Sequence, residues 1–101
     1  MIQLKNGHIW FAKEQVDLLF GDEEKVNLVY YPDRQTLLIA ARSKLFFEKM
    51  HKTTWAVLKL RNLNGDKTIS IQDLILDNDL DETDRTLTYD LKNTGILSIE
   101  L

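Results

Sequence analysis

The same order of local patterns occurs twice along this chain, and each occurrence predicts a strand, turn, strand, short helix and hairpin. In the first occurrence, apolar residues alternate from Ile2 to Phe11 around an Asn6-Gly7 pair. Asn-Gly favours a two-residue hairpin turn because both residues tolerate positive φ. The elements predicted next are a short helix marked by Val16, Leu19 and Phe20, a strand over 25–31, a turn over 32–35 and a strand over 36–41.

The second half repeats this order. Apolar residues alternate on both sides of Asn64-Gly65. A short helix carrying Leu74, Ile75 and Leu76 follows, then a strand over 85–91, a turn over 92–95 and a strand over 96–101. The sequence therefore predicts one domain, made of a first repeat over 1–41, a joining segment over 42–56 and a second repeat over 57–101.

The register of the two halves supports a duplication. An offset of 60 residues aligns Ile9 with Ile69 and is kept as far as Ile39, which it aligns with Ile99. Ahead of the turn an offset of 56 aligns Leu4 with Leu60. Any two units of this kind match partly through alternation alone, which is the alternative. One offset kept through strand, helix and hairpin favours a common origin.

The first repeat resembles the unit of the AbrB/MazE/SpoVT-like family. Residues 7–14 read Gly-His-Ile-Trp-Phe-Ala-Lys-Glu, and Leu-Leu-Phe-Gly-Asp follows at 18–22. The family's unit runs Gly-Arg-Ile-x-Ile-Pro-Lys-Glu, continues into a short helix that ends near Leu-Gly, and closes with a strand pair. Residues 7–40 cover this motif, and 65–101 cover it more faintly. His8 stands where the family has its arginine, and Ala12 where it has proline.

The resemblance implies a fold and a class of function. The implied fold is mainly β with short helices: a small swapped-hairpin or double-psi barrel with a pseudo-twofold axis, which a two-copy chain builds alone, as MraZ-like members do. Members are commonly DNA-binding transcription regulators or antitoxins. The resemblance therefore makes DNA a candidate partner, although the family's arginine, a common DNA contact, is replaced by His8 here.

No pattern of residues predicts an enzyme. Neither histidine, His8 or His51, accompanies a nucleophile motif or a metal-ligand spacing, and the glycines are isolated rather than grouped into a phosphate-binding loop. Asp77, Asp79 and Asp81 alternate as in a calcium loop, but the glycine and closing glutamate of such a loop are missing, so a solvated acidic loop is favoured. We expect no catalytic residues, cofactor or metal.

Composition narrows the setting further. The chain has no cysteine and no apolar run approaching the roughly 20 residues of a membrane span. Its N-terminal residues lack the charged start and long apolar stretch of a secretory signal. We therefore expect a cytoplasmic protein that does not contact membranes.

Charge is distributed unevenly along the chain. The formal net charge is −3, yet residues 41–61 carry six Lys or Arg against one Glu, whereas residues 62–101 carry three against nine Asp or Glu. One interpretation is a basic binding surface, and the other is internal compensation between the two segments.

The joining segment holds the predicted contact residues. A helix over 43–52 would place basic side chains beside aromatic ones, an arrangement that can hold phosphates and stack on bases. The candidate contacts with nucleic acid or a protein partner are Arg42, Lys44, Phe46, Phe47, Lys49, His51, Lys52 and Trp55. The alternative is a linker helix whose aromatics pack on the domain. A non-enzymatic DNA-binding regulator is thus weighed against a protein-interaction or structural module, including a homodimer.

Overall fold

The computed structural model describes residues 2–41, 45–50, 53–92 and 95–101. Within these ranges the chain forms ten β-strands and three short α-helices. The strands are β1 Ile2–Lys5, β2 His8–Phe11, β3 Lys25–Tyr31, β4 Thr36–Ala41, β5 Thr54–Val57, β6 Lys59–Leu60, β7 Lys67–Ser70, β8 Arg85–Thr86, β9 Tyr89–Leu91 and β10 Leu97–Glu100. The helices are α1 Lys13–Leu19, α2 Leu45–Met50 and α3 Gln72–Asn78.

The strands form two five-stranded antiparallel sheets, so the predicted mainly β class with short helices is confirmed. The first sheet has the order β6-β7-β2-β1-β8, and the second has the order β5-β3-β4-β10-β9. In the described ranges these are two separate ladders rather than one closed barrel. No helix in those ranges is long and apolar enough to cross a bilayer.

Two segments take part in both sheets. Residues 54–60 begin as β5 in the second sheet and continue as β6 in the first, and buried Leu58 lies between the two strands. Residues 85–91 do the reverse, from β8 to β9, with Leu87 buried at the change. The sequence predicted an unbroken strand over 85–91. The strand is interrupted because its two ends pair with different sheets.

The core lies between the sheets and follows from alternation, since successive side chains of a strand point to opposite faces. Ile2, Leu4, Ile9 and Phe11 are at most 1% exposed and come from β1 and β2. The second sheet contributes a matching set from β3, β4 and β10: Val26, Leu28, Leu37, Ile39, Leu97 and Ile99. Each such burial stabilises the fold by about 1.5–3 kcal/mol before conformational entropy is counted.

Short helices and turns close the core. In α1, Val16 is buried, and Phe20 just beyond it packs edge-on against Phe11 with ring centroids 5.2 Å apart. The Asn6-Gly7 turn has φ of 52° and 73°, as predicted for a tight hairpin. Leu60, which the 56-residue offset aligned with buried Leu4, is 63% exposed. Leu58, which the same offset aligned with buried Ile2, is 6% exposed, so burial agrees for the pair Ile2 and Leu58 but not for the pair Leu4 and Leu60.

Candidate nucleic-acid interface

The outer face of the first sheet carries a row of five side chains, one from each strand. The pairing register places Thr86, Gln3, Trp10, Thr68 and Lys59 side by side across β8, β1, β2, β7 and β6. Directly opposed residues of antiparallel strands share a face, and the core residues of these strands occupy the other one. The row is therefore polar, aromatic and cationic, without a carboxylate.

A second, shorter row lies beside the first. It consists of Lys5, His8 and Ser70 on β1, β2 and β7. The Lys5 ammonium lies 5.3 Å from the centroid of the partly exposed Trp10 ring, within the range of a cation–π interaction. This contact joins the two rows and holds one positive charge above the sheet.

Arg61 is fixed over the same face by one hydrogen bond. Its Nε donates to the Oγ1 of Thr68 at 2.7 Å. Thr68 is only 1% exposed although it lies on the outer face, while Arg61 remains exposed. Within the described ranges the two terminal amino groups of the Arg61 guanidinium have no partner. A guanidinium held by Nε with its terminal nitrogens open to solvent is suited to an anionic oxygen, because its donors form a rigid fork.

His8 is oriented by the turn that precedes it. Its Nδ1 lies 2.8 Å from the carbonyl oxygen of Asn6. A carbonyl oxygen only accepts, so Nδ1 carries the proton and donates in this contact. The bond leaves Nε2 as the nitrogen that a further partner can use. We refer to Lys5, His8, Trp10, Lys59, Arg61 and Thr68 together as the basic face.

Among the described residues, no ion pair joins a cation of the basic face to a carboxylate. The strands of the first sheet contain no Asp or Glu at all, although the chain is acidic overall. The salt bridges of the described residues join Lys13 to Asp17, Arg85 to Asp81 and Lys92 to Asp90, all close in sequence. Among those residues, no ion pair links Lys49, Lys59 or Arg61 to the acidic tail.

Acidic residues do lie at one margin of the sheet. At the Asn6-Gly7 turn, the Oδ1 of Asp84 accepts a hydrogen bond from the Asn6 backbone N–H at 2.9 Å. Gln72 and Glu82 line the same shallow depression as this turn. The free cations Lys59 and Arg61 lie toward the opposite margin, where β6 leads into the β6–β7 loop. The charge across the basic face therefore changes from acidic near the Asn6-Gly7 turn to basic near the β6–β7 loop.

A cleft of about 500 Å³ borders the basic face where β5 diverges from β7. His8, Lys59 and Ser70 contribute to it from the first sheet, and Trp55 from β5. Its far side, on α3, carries Asp73 and Asp77. These carboxylates disfavour a phosphate inside the cleft, so we assign the contact surface to the part of the basic face outside it, at Lys5, Trp10 and Arg61.

The predicted contacts of the joining segment divide into two groups. Arg42, Lys44, His51 and Lys52 lie outside the described residues. Of the others, Phe46 is 39% exposed and Lys49 is exposed. Phe47 is completely buried, so this side chain fits the alternative of a linker helix packed on the domain. Trp55 is 60% exposed and has the Lys25 ammonium 4.6 Å from its ring centroid. Their role as contacts stays a prediction.

The residues of the basic face were only partly indicated by sequence. Alternation predicts that Trp10 points away from the core, whereas His8 was interpreted as an ordinary surface histidine. Lys59 and Arg61 fall within the basic segment. The pairing of β2 with β7 was not predicted from the sequence. This pairing places Trp10 next to Thr68, the residue that holds Arg61.

Comparisons with family models, curated proteins and solved structures found no match. The function is therefore argued from the geometry of the basic face.

Proposed function

We propose that this protein is a non-enzymatic nucleic-acid-binding regulator that contacts phosphates with the basic face. The observation that carries the proposal is Arg61, held on Thr68 above a sheet without carboxylates. Bidentate contacts from arginine to phosphate are among the stronger hydrogen bonds available to a protein surface. Lys5, on the same face, supplies a second positive charge.

The spacing of the cations suits a duplex. Lys5 and Lys59 lie on strands three spacings apart in the sheet, and adjacent strands are about 4.8 Å apart, so their strand axes are separated by roughly 14 Å. The major groove of B-DNA is about 12 Å wide. Two lysines at this separation can reach phosphates on the two sides of one groove, while Trp10 lies between them.

The strand registers support the AbrB-like two-repeat interpretation. In the β2–β7 ladder Ile9 lies opposite Ile69, and in the β4–β10 ladder Leu38 lies opposite Ser98. Both central pairs differ by 60 residues, the offset found in the sequence. A twofold operation that exchanges each residue with the one 60 positions later maps both ladders onto themselves. Two unrelated halves have no reason to pair about equivalent residues.

The segments that take part in both sheets support the swapped-hairpin architecture. Residues 54–60 and 85–91 connect the edge strands of one sheet to the edge strands of the other. In the first repeat β1 pairs with β2 and with β8; in the second, residues 54–60 pair with β7 and with β3. Each repeat's first strand thus pairs both with its own repeat and with the sibling, as interleaved hairpins require.

Salt dependence of binding tests the proposal. We expect the protein to bind short mixed-sequence duplexes at low salt, with a log–log salt slope that falls by about 0.9 for each phosphate contact removed. Lys59→Gln, Arg61→Gln and Lys5→Gln should each lower this slope. Lys92→Gln, which removes a cation already paired with Asp90 at 2.6 Å, is the matched control. Absence of binding at tens of micromolar protein in low salt, or equal slopes for all four variants, would refute the proposal.

A protein-interaction module is the second candidate, and one apolar groove favours it. Leu18 and Leu19 of α1 and Tyr89 and Leu91 of β9 line this groove, and Leu18 is 73% exposed. Light scattering and a pull-down would test it. A monomer that retains no partner, and whose behaviour Leu18→Gln does not alter, would count against this candidate.

A further inference from the structure

The β6–β7 loop, residues 61–66, is a hairpin tip organised by its own hydrogen bonds. Asn62 Oδ1 accepts from the backbone N–H groups of Asn64 at 3.1 Å and Asp66 at 3.2 Å, while its Nδ2 donates to Asp66 Oδ2 at 3.0 Å. The Arg61 N–H donates to the Asp66 carbonyl oxygen at 2.9 Å. Side-chain bonds of this kind hold a turn in one conformation.

A second set of contacts attaches the loop to α1. The Lys13 backbone N–H donates to Asp66 Oδ1 at 3.0 Å. Gly65 has φ of +99°, and a side chain there would meet the Lys13 side chain at 3.2 Å. The loop is thus tethered at its base, and both carboxylate oxygens of Asp66 are occupied within the protein.

The tip of this tethered loop presents an apolar side chain to solvent. Leu63 is fully exposed, and Leu60 on the same hairpin is 63% exposed. Within four residues of Leu63 the charged side chains are the cations Lys59, Arg61 and Lys67 and the carboxylate of Asp66, which is engaged internally. An apolar tip flanked by three cations is complementary to a polyanion with an apolar interior.

We propose that Leu63 is a wedge that inserts between adjacent base pairs of a DNA duplex held on the basic face. The inference rests on the proposed function and extends it from phosphate contact to deformation of the duplex. Leucine and similar side chains that enter a base step unstack it and kink the duplex. Arg61 belongs both to the loop and to the basic face, so a duplex that contacts Arg61 lies next to the loop that carries Leu63. A tethered loop would lose little conformational freedom on insertion.

The energetic signature of a wedge is a preference for steps that unstack easily. Pyrimidine–purine steps and mismatches cost less to open than stiff A-tracts. The wild-type protein should therefore bind a duplex with one central mismatch about fivefold more tightly than its matched counterpart. Removal of the Leu63 side chain should abolish this preference and leave phosphate contacts intact.

Bending and mismatch preference of end-labelled duplexes test the proposal, with Leu63→Ala compared with Leu76→Ala. Leu76 is 77% exposed but lies on α3, a helix that contains no Lys or Arg, and so is the matched control. We expect energy transfer between the duplex ends to rise on binding of wild type and Leu76→Ala, and to stay near the free-duplex value for Leu63→Ala. Its salt slope should remain that of wild type.

Three results would overturn the wedge. If Leu63→Ala binds and bends DNA as wild type does, the wedge is wrong and the proposed function stands. If no variant binds DNA, both fall together. If Leu63→Ala weakens binding to vesicles of anionic phospholipid while the wild-type protein leaves DNA straight, the tip contacts a lipid surface rather than a base step.

Discussion

The Arg61 Nε donates to the Thr68 Oγ1 at 2.7 Å, and this bond places a guanidinium over strand β7 of the first sheet. Thr68→Val removes the acceptor at nearly constant volume. We expect unfolding free energy to fall by about 1 kcal/mol or less and duplex affinity to fall about three- to tenfold, because Arg61 would lose its fixed orientation. Fluorescence anisotropy and urea denaturation measure the two effects.

The control for this change lies in the same row. Thr86→Val alters an exposed threonine of β8 at the far end of the sheet from Arg61. It should leave affinity unchanged. An equal loss for both variants would mean that Arg61 does not depend on Thr68 for its role.

Ile9 and Ile69 face each other across β2 and β7, and both are 0% exposed. Ile9→Ala and Ile69→Ala should each lower the free energy of unfolding by about 2–5 kcal/mol, since a cavity forms in a packed core. The double variant should lose less than the sum by about 0.5 kcal/mol or more, because the two side chains share one site. Ile9→Ala combined with Ile99→Ala, in the other sheet, tests whether this coupling is local. A strictly additive Ile9 and Ile69 pair would contradict the packing.

Gly7 and Gly21 both have positive φ, at 73° and 56°, but differ in surroundings. A Cβ at Gly7 would lie 2.6 Å from Gln72 Cγ, whereas a Cβ at Gly21 meets nothing within 4 Å. Gly21→Ala should therefore cost only the left-handed backbone penalty of about 1–2 kcal/mol. Gly7→Ala should lower the free energy of unfolding by more than this. Adding Gln72→Ala to that variant should recover the additional loss but not the backbone penalty. Denaturation midpoints that are equal for the two glycine variants would exclude the clash.

The Thr83 hydroxyl and, to a smaller extent, its backbone N–H donate to Asp81 Oδ1 and lower the pKa of that carboxyl below 3.8. The charged form is favoured in the folded protein, so this contribution to stability is present above pH 3.8 and is lost as pH falls through the folded pKa. Thr83→Ala should raise the pKa of Asp81 toward its ordinary value in a carboxyl NMR titration. Thr86→Ala, three residues further along the chain, should not change the pKa of Asp81. A shift in that control would indicate that either substitution disturbs the conformation of the whole segment.

The strands β3 and β4 were predicted from sequence with the bounds that the structure has. Each is a run of six or seven residues rich in apolar side chains, and Pro32 and Asp33 mark the turn between them. Local patterns of this length determine both the type and the limits of an element.

The division of strands between two sheets was not predicted. Alternation near Leu58 and Leu87 indicates only that these residues are buried. Burial does not show that the residues before and after each leucine pair with different sheets. Leu60 is exposed although the 56-residue offset aligned it with buried Leu4, because alternation does not show that β6 ends there at an edge of the sheet. The site depends on the same long-range pairing: Arg61 and Thr68 meet across a loop, and Trp10 joins them from 50 or more residues away in the chain. Only registers between distant strands reveal such neighbours.

The charge gradient of the basic face gives this small domain a direction. An anionic ligand laid across it would be attracted more strongly at the margin with Lys59 and Arg61 than at the Asn6 margin, where Asp84 lies near Lys5 and offsets part of its charge. One copy can then occupy an extended polyanion in a single orientation, and a symmetric target would require two copies facing opposite ways. If a polyanion binds there as proposed, a few carboxylates set its orientation on the domain, because the strand register around Ile9 and Ile69 is the same in both directions.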